Sequence, residues 1–124
     1  MIADLGGETG MATVFEKIIA GEIPADVIYR DEQIVAFRDI RPASPVHLLI
    51  VPVKPIPTVD DLEDEDLALV GRMVGVARDL ARAEDLSNSG YRLVMNCGRD
   101  GGQEVFHLHL HLMGGRPLGP MAGP

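Results

Sequence analysis

The chain of 124 residues holds a single cysteine, Cys97. No internal disulfide can form, and a reducing compartment suits such a chain. Positive charge is also scarce. Eleven lysines and arginines stand against 19 aspartates and glutamates, a net charge of −8, with a pI near 4.8. Binding a nucleic-acid backbone needs a basic surface that displaces counterions, so this composition argues against that partner. It does not exclude a single nucleotide, which a few local donors can hold. No apolar run is long enough to span a bilayer. The opening stretch MIADLGGETG has neither the basic start nor the apolar core of a signal peptide. Repeats and low-complexity segments are absent. The expected setting is the cytoplasm, away from membranes. Residues 1–12 are expected to form a mobile tail ahead of one domain over 13–124.

Apolar residues are plentiful, at 46%, enough to fill a core. TVFEKIIAGEIP places Val14, Phe15, Ile18 and Ile19 at helical spacing before Gly21 and Pro24 stop it. VIYR (27–30) and QIVAFRD (33–39) predict a hairpin across Asp31 and Glu32, and HLLIVPV (47–53) predicts an apolar strand. Prolines make loops of IRPASP and VKPIPTV. The spacing predicts a long helix over 60–86, capped by Asp60 and Asp61, with Leu67, Val70, Val74, Ala77 and Leu80 on its inner face. YRLVMN (91–96) and EVFHLHLHLM (104–113) predict two more strands around the loop GRDGG (98–102). The expected fold class is α+β: a mostly antiparallel five-stranded sheet, one short N-terminal helix and one long central helix.

Three of the four histidines fall in HLHLHL, residues 107–112. A strand sends successive side chains to opposite faces. His107, His109 and His111 therefore share one face, with ring-bearing positions about 7 Å apart. Leu108, Leu110 and Leu112 share the other face, and a one-residue slip would bury the imidazoles in their place. Two chemistries use such a row. A metal takes imidazole readily, with His47, Cys97 or a carboxylate completing the ligand set. Alternatively, one imidazole is a nucleophile and its neighbours shape the charge around it. Periodicity alone leaves these even. The glycine loop just upstream suits an anion and tilts the balance towards phosphate chemistry.

With its alternating histidines the chain resembles the histidine triad family. FEKIIAGEIPADVIYRDEQIVAFRDIRPASPVHLLIVP and GYRLVMNCGRDGGQEVFHLHLHLMGGRP resemble its branch of nucleoside phosphoramidases usually called Hint, over roughly residues 13–121. The resemblance implies a homodimer whose two sheets join, a purine nucleotide substrate and no cofactor or metal. It implies that His109 attacks the α-phosphorus of a nucleoside phosphoramidate, expels an amine and is released by water from a nucleotidyl-histidine. His111 would stabilise charge on the phosphate oxygens, and His107 and His47 would support the rings. For His47 a satisfied strand-end histidine is the plain alternative. Asp39 matches the acid that holds the ribose hydroxyls, and its plain alternative is a loop cap. Val14, Phe15, Ile18, Ile23, Phe37, Ile40 and Leu49 match the apolar cleft for the base, although each could equally be core. Asn96 and Gln103 match polar residues around the phosphate. Rival readings are a dinucleoside polyphosphate hydrolase of the same superfamily and a non-catalytic adaptor that binds nucleotide or zinc.

Glu104 stands where some relatives carry a hydroxyl side chain. An ionised carboxylate cannot donate a proton and repels a phosphate. Either it points away, or it favours a basic leaving amine such as a lysine side chain. On the second view Glu104→Ser slows turnover of lysyl phosphoramidates severalfold more than that of neutral-amine substrates. Equal effects in steady-state kinetics reject that view.

Overall fold

The computed structural model describes residues 12–121. The tail expected over residues 1–12 lies outside the described residues except for Ala12. Thr13 opens helix α1 (Val14–Ile19): its hydroxyl accepts from the Glu16 amide while the Glu16 carboxylate accepts from the Thr13 amide. Strands β1 (Val27–Arg30) and β2 (Ile34–Arg38) follow as a hairpin. The Asp31 carboxylate shapes its turn by accepting from the amides of Gln33 and Ile34. Strand β3 (Val46–Pro52) leads through the proline-rich link to helix α2 (Leu67–Ala83), and β4 (Tyr91–Val94) and β5 (Leu110–Gly114) complete the chain. The sheet has five strands in the order β1-β2-β3-β5-β4, and every pairing is antiparallel. The expected α+β class is thus observed.

Several boundaries differ from expectation. The span 60–66 is not part of the long helix. It forms two short 3-10 turns, Val59–Asp61 and Asp64–Asp66. Thr58 and Asp61 close the first in a capping box, and the extended backbone of Leu62 separates them. Asp60 and Asp61 therefore do not cap α2. Asp66 precedes it, but its carboxylate accepts from Lys54 and from the Glu63 amide rather than from the helix. At the far end Asp85, in the left-handed region at φ 65°, lets the Leu86 amide reach the Ala81 carbonyl and stop the helix. The last strand is also shorter than expected. It begins at Leu110, so His107 and His109 lie in the segment that leads into it.

The sheet has an apolar layer on each face. On one, Ile34, Ala36, Leu48, Ile50, Leu108, Leu110 and Leu112 pack beneath α2. Helix α2 contributes Met73, Val76, Ala77 and Ala81, with Val70 and Leu80 partly buried, whereas Leu67 and Val74 stay exposed. The inner stripe is thus turned from the expected one, because Met73, Val76 and Ala81 complete its i, i+3, i+4 spacing. On the opposite face Phe15 and Ile18 of α1 cover Val35, Phe37, Leu49 and Val51. Among the described residues no helix is long and apolar enough to cross a membrane.

This assignment of the helix face makes a testable contrast. Met73→Ala should cost about 2–5 kcal/mol of stability through the cavity it leaves. Val74→Ala, one residue on, should change stability by no more than about 0.5 kcal/mol. Urea unfolding of both variants checks the pair.

Candidate active site

Register sets the site. Leu48 lies opposite Leu112 and Ile50 opposite Leu110, which fixes those side chains under α2. The alternate residues must then face α1: His47 opposite Met113, and Leu49 opposite His111. His47 and His111 are therefore diagonal neighbours on adjacent strands. His109 precedes His111 on the same face, and the two ring centroids are 4.9 Å apart. That is closer than the roughly 7 Å spacing of a regular strand, because His109 lies ahead of the strand and the rings lean together. The ring of Phe15 stands edge-on to His109 at 5.0 Å and 90°, and to Phe37 at 5.4 Å.

Hydrogen bonds assign a proton to each ring. The His107 carbonyl can only accept, so the 2.7 Å contact to His109 Nδ1 puts the proton on Nδ1 and leaves Nε2 bare. Likewise the Pro52 carbonyl, 2.7 Å from His107 Nε2, puts that ring's proton on Nε2. His47 runs the other way. The Ala43 amide donates to its Nδ1 at 3.0 Å, so the proton sits on Nε2. That proton points at His111 Nδ1, 2.9 Å away, which makes His111 Nε2 a donor. One sealed side-chain nitrogen among the described residues lacks a partner, His107 Nδ1. The bare Nε2 of His109 also has no internal partner, but it is not sealed. The row thus offers solvent an unprotonated nitrogen on His109 beside an N–H on His111.

Burial keeps the four rings uncharged. Loss of water lowers the pKa of His47, His107 and His109 below the ordinary histidine value. His111 is pushed down to about 4, first by burial and then by His109 and His47 beside it. The Asp39 carboxylate opposes the shift at His47, His109 and His111. It lies 3.5 Å from His47 Nε2, and its other oxygen accepts from the Arg41 amide.

The remaining expected residues divide. Phe15, Ile18, Phe37 and Leu49 are buried in the layer beneath α1, and Ile23 packs against it partly buried. Ile40 is 87% exposed and Val14 44% exposed, so neither belongs to that layer. Asn96 donates one amide hydrogen to the Gly101 carbonyl. Both amide hydrogens of Gln103 are taken by the carbonyls of Pro57 and Val105, and its oxygen accepts from the Gly98 amide. Gln103 therefore braces the loop and has no donor left for a phosphate. The glycines of that loop have a similar office. A side chain on Gly101 would come within 2.4 Å of the Cys97 carbonyl oxygen, and Gly98 and Gly102 sit at positive φ. The amides of Gly98, Gly102 and Gln103 bond within the turn, so these three are not presented to an anion. Glu104 is exposed and bears electrostatically on His109.

One group among the described residues has the spacing to hold a metal. Ligand atoms of Asp39, His47 and His111 lie within 4.8 Å of one another. Its chemistry fits an ion poorly, because the Ala43 amide on Nδ1 of His47 keeps a proton on the Nε2 that the ion would need. Cys97 is exposed and outside the group. Sequence reasoning missed the backbone partners, the Ala43 amide and the Pro52 carbonyl, since main-chain groups have no signature in residue identity.

Fold and site together define a class: an α+β protein that holds a row of uncharged histidines on one sheet face against an apolar layer. Comparison with known proteins narrows the class. The HIT domain model matches residues 20–118. The chain is 54% identical over 109 residues to the purine nucleoside phosphoramidase of Escherichia coli strain K12, covering 88% of this chain and 92% of that protein. A crystal structure of a HIT family hydrolase from Legionella pneumophila Philadelphia 1 superposes with a TM-score of 0.88 at 52% identity, covering 90% of this chain and all of that one. A histidine triad protein from Clostridium difficile superposes with a TM-score of 0.84 at 38% identity, covering 86% and 93%. The chain belongs to the HIT domain family.

Titration tests the charge state. All four histidines should remain neutral at about pH 7, with a His111 midpoint at about 4 by NMR. Asp39→Asn should lower that midpoint further, because the carboxylate is what holds it up. The unfolded rings take protons below about pH 6.5 while the folded ones do not. Their share of stability therefore declines as pH falls from about 6.5 towards 4, by about 3 kcal/mol for the shift of His111 alone. Urea unfolding across that range measures it.

Proposed function

We propose that this chain hydrolyses the P–N bond of purine nucleoside 5′-phosphoramidates, giving a nucleoside monophosphate and an amine. The observation that carries the reading is the His109 ring, with its proton on Nδ1 and a bare, unsealed Nε2. The similarity to a phosphoramidase at 54% identity supports the substrate class. In the first step Nε2 of His109 attacks phosphorus, the P–N bond breaks, and the leaving nitrogen takes up a proton from solvent water. The Nδ1–H bond to the His107 carbonyl stabilises the positive charge that the ring acquires. The N–H of His111 faces the charge that grows on the phosphate oxygens. In the second step water attacks phosphorus and returns a proton to solvent, the P–N bond to His109 breaks, and the monophosphate leaves.

Asp39 holds the ribose hydroxyls in this reading, with one oxygen on the Arg41 amide and the other side of the carboxylate near His47. Ile40, an apolar side chain left in water, forms the rim of the base cleft. Phe15, Ile18, Ile23, Phe37 and Leu49 form its floor, and Asn96 flanks the phosphate. We further infer a homodimer formed along the free edge of β4. Tyr91 on that edge is an exposed side chain that such a contact would cover. A cytoplasmic setting accompanies the reading, and the lone Cys97 suits it.

His109→Ala should reduce turnover of a purine phosphoramidate by at least about 10³-fold while nucleotide affinity changes less than about tenfold. Survival of turnover in that variant sinks the reading. The unaltered protein mixed with substrate and quenched should yield a nucleotide adduct on His109 by mass spectrometry. Sedimentation should return twice the chain mass.

A further inference from the structure

The segment after β5 has no part in the reaction just described, yet it reaches the loop whose Ala43 amide contacts His47. Val46 at the start of β3 pairs with Gly114 at the end of β5. Gly115 then turns the chain at φ 100°, where a side chain would come within 2.8 Å of the Pro45 Cβ. Only glycine allows this close approach. It brings Arg116 over the 43–46 loop, and the guanidinium donates through Nη2 to the Ala43 carbonyl at 2.9 Å and through Nη1 to the Pro117 carbonyl at 2.9 Å. Ala43 is the residue whose amide donates to His47 Nδ1. A single residue is thus held by Arg116 through its carbonyl while its N–H decides which nitrogen of His47 is protonated.

We propose that Arg116 is a positioning residue that sets the proton arrangement of His47 and His111 through Ala43. The two bonds at Ala43 belong to different peptide units. Arg116 therefore acts by holding the residue in place, not by polarising its N–H. The order of consequences is short. Arg116 anchors the Ala43 carbonyl, and the Ala43 amide keeps His47 Nδ1 bare. His47 Nε2–H then donates to His111 Nδ1, and His111 is left with its proton on Nε2, facing outward. Without the anchor the loop is braced by Ser44, whose hydroxyl donates to the Val46 carbonyl. That brace lies beyond Ala43 and does not aim its amide. The Ala43 amide then leaves His47 Nδ1 for part of the time, and both rings sample the opposite tautomer. His109 takes its proton position from the His107 carbonyl and is unaffected. This assignment rests on the proposed reaction only for its kinetic consequence.

The test uses the full chain labelled with 15N histidine, without substrate, at about pH 7.5, where the rings are neutral. In the unaltered protein His47 and His111 should both show protonated Nε2 and bare Nδ1. Arg116→Ala should move the ring signals of both towards the average of the two tautomers and leave those of His109 in place. Turnover number with a purine phosphoramidate should fall about fivefold, the scale of one weakened hydrogen bond, with KM within about twofold. Arg116→Lys keeps a charged donor and should restore part of both signals. It also serves as the informative variant where Arg116→Ala does not fold. Unchanged His47 and His111 signals in Arg116→Ala overturn the proposal, as does a shift that includes His109 equally, which marks general loosening. Absence of turnover in the unaltered protein would refute the reaction proposed above, and the NMR comparison would still decide the role of Arg116.

Discussion

One main-chain carbonyl governs the chemistry of the site. The oxygen of His107 accepts from His109 two residues later in the same chain, and so settles which ring nitrogen has a lone pair to give. The bond is local and needs no partner strand. What it needs is that the ring turn back towards its own backbone. Leu108, packed at 1% exposure beneath α2, supplies that constraint by fixing the peptide between the two histidines. The apolar core under one face of the sheet thus orients the polar groups on the other.

The second requirement is that the rings remain uncharged while they sit so close together. Centroid separations of 4.9 Å between His109 and His111 and 5.2 Å between His47 and His111 would set like charges against each other if the rings were protonated. Helix α1 and Phe15 withdraw this face from water, and desolvation removes the charge. Asp39 then acts as a moderating influence on three of the rings. Of the expected apolar residues, Phe15 stands edge-on to His109 and contributes to the burial that lowers the pKa of that ring.

Much of this was legible in the order of residues. Alternation in HLHLHL predicts both faces of the last strand, and the burial of Leu108, Leu110 and Leu112 agrees with it. The hairpin around Asp31 and the strand at 47–53 are equally visible, because period-two patterns and turn residues are local signals. The helix over 60–86 was overextended because acidic residues before a helix look alike whether they cap it or close 3-10 turns ahead of it. The choice fell to Lys54, a partner from the loop after β3 that takes the carboxylate of Asp66. Gln103 shows a related limit. Residue type announces two amide donors, but not that Pro57 and Val105 occupy both.

The sequence by itself determined the class of fold and the face on which the histidines stand. Those properties follow from periodicity and residue type, which survive without knowledge of the third dimension. Only the tertiary structure decided the proton on His47, His107 and His111. That decision belongs to main-chain groups of Ala43 and Pro52, which every amino acid possesses alike, and to the packing that brings residues 64 positions apart, His47 and His111, to within a hydrogen bond of each other.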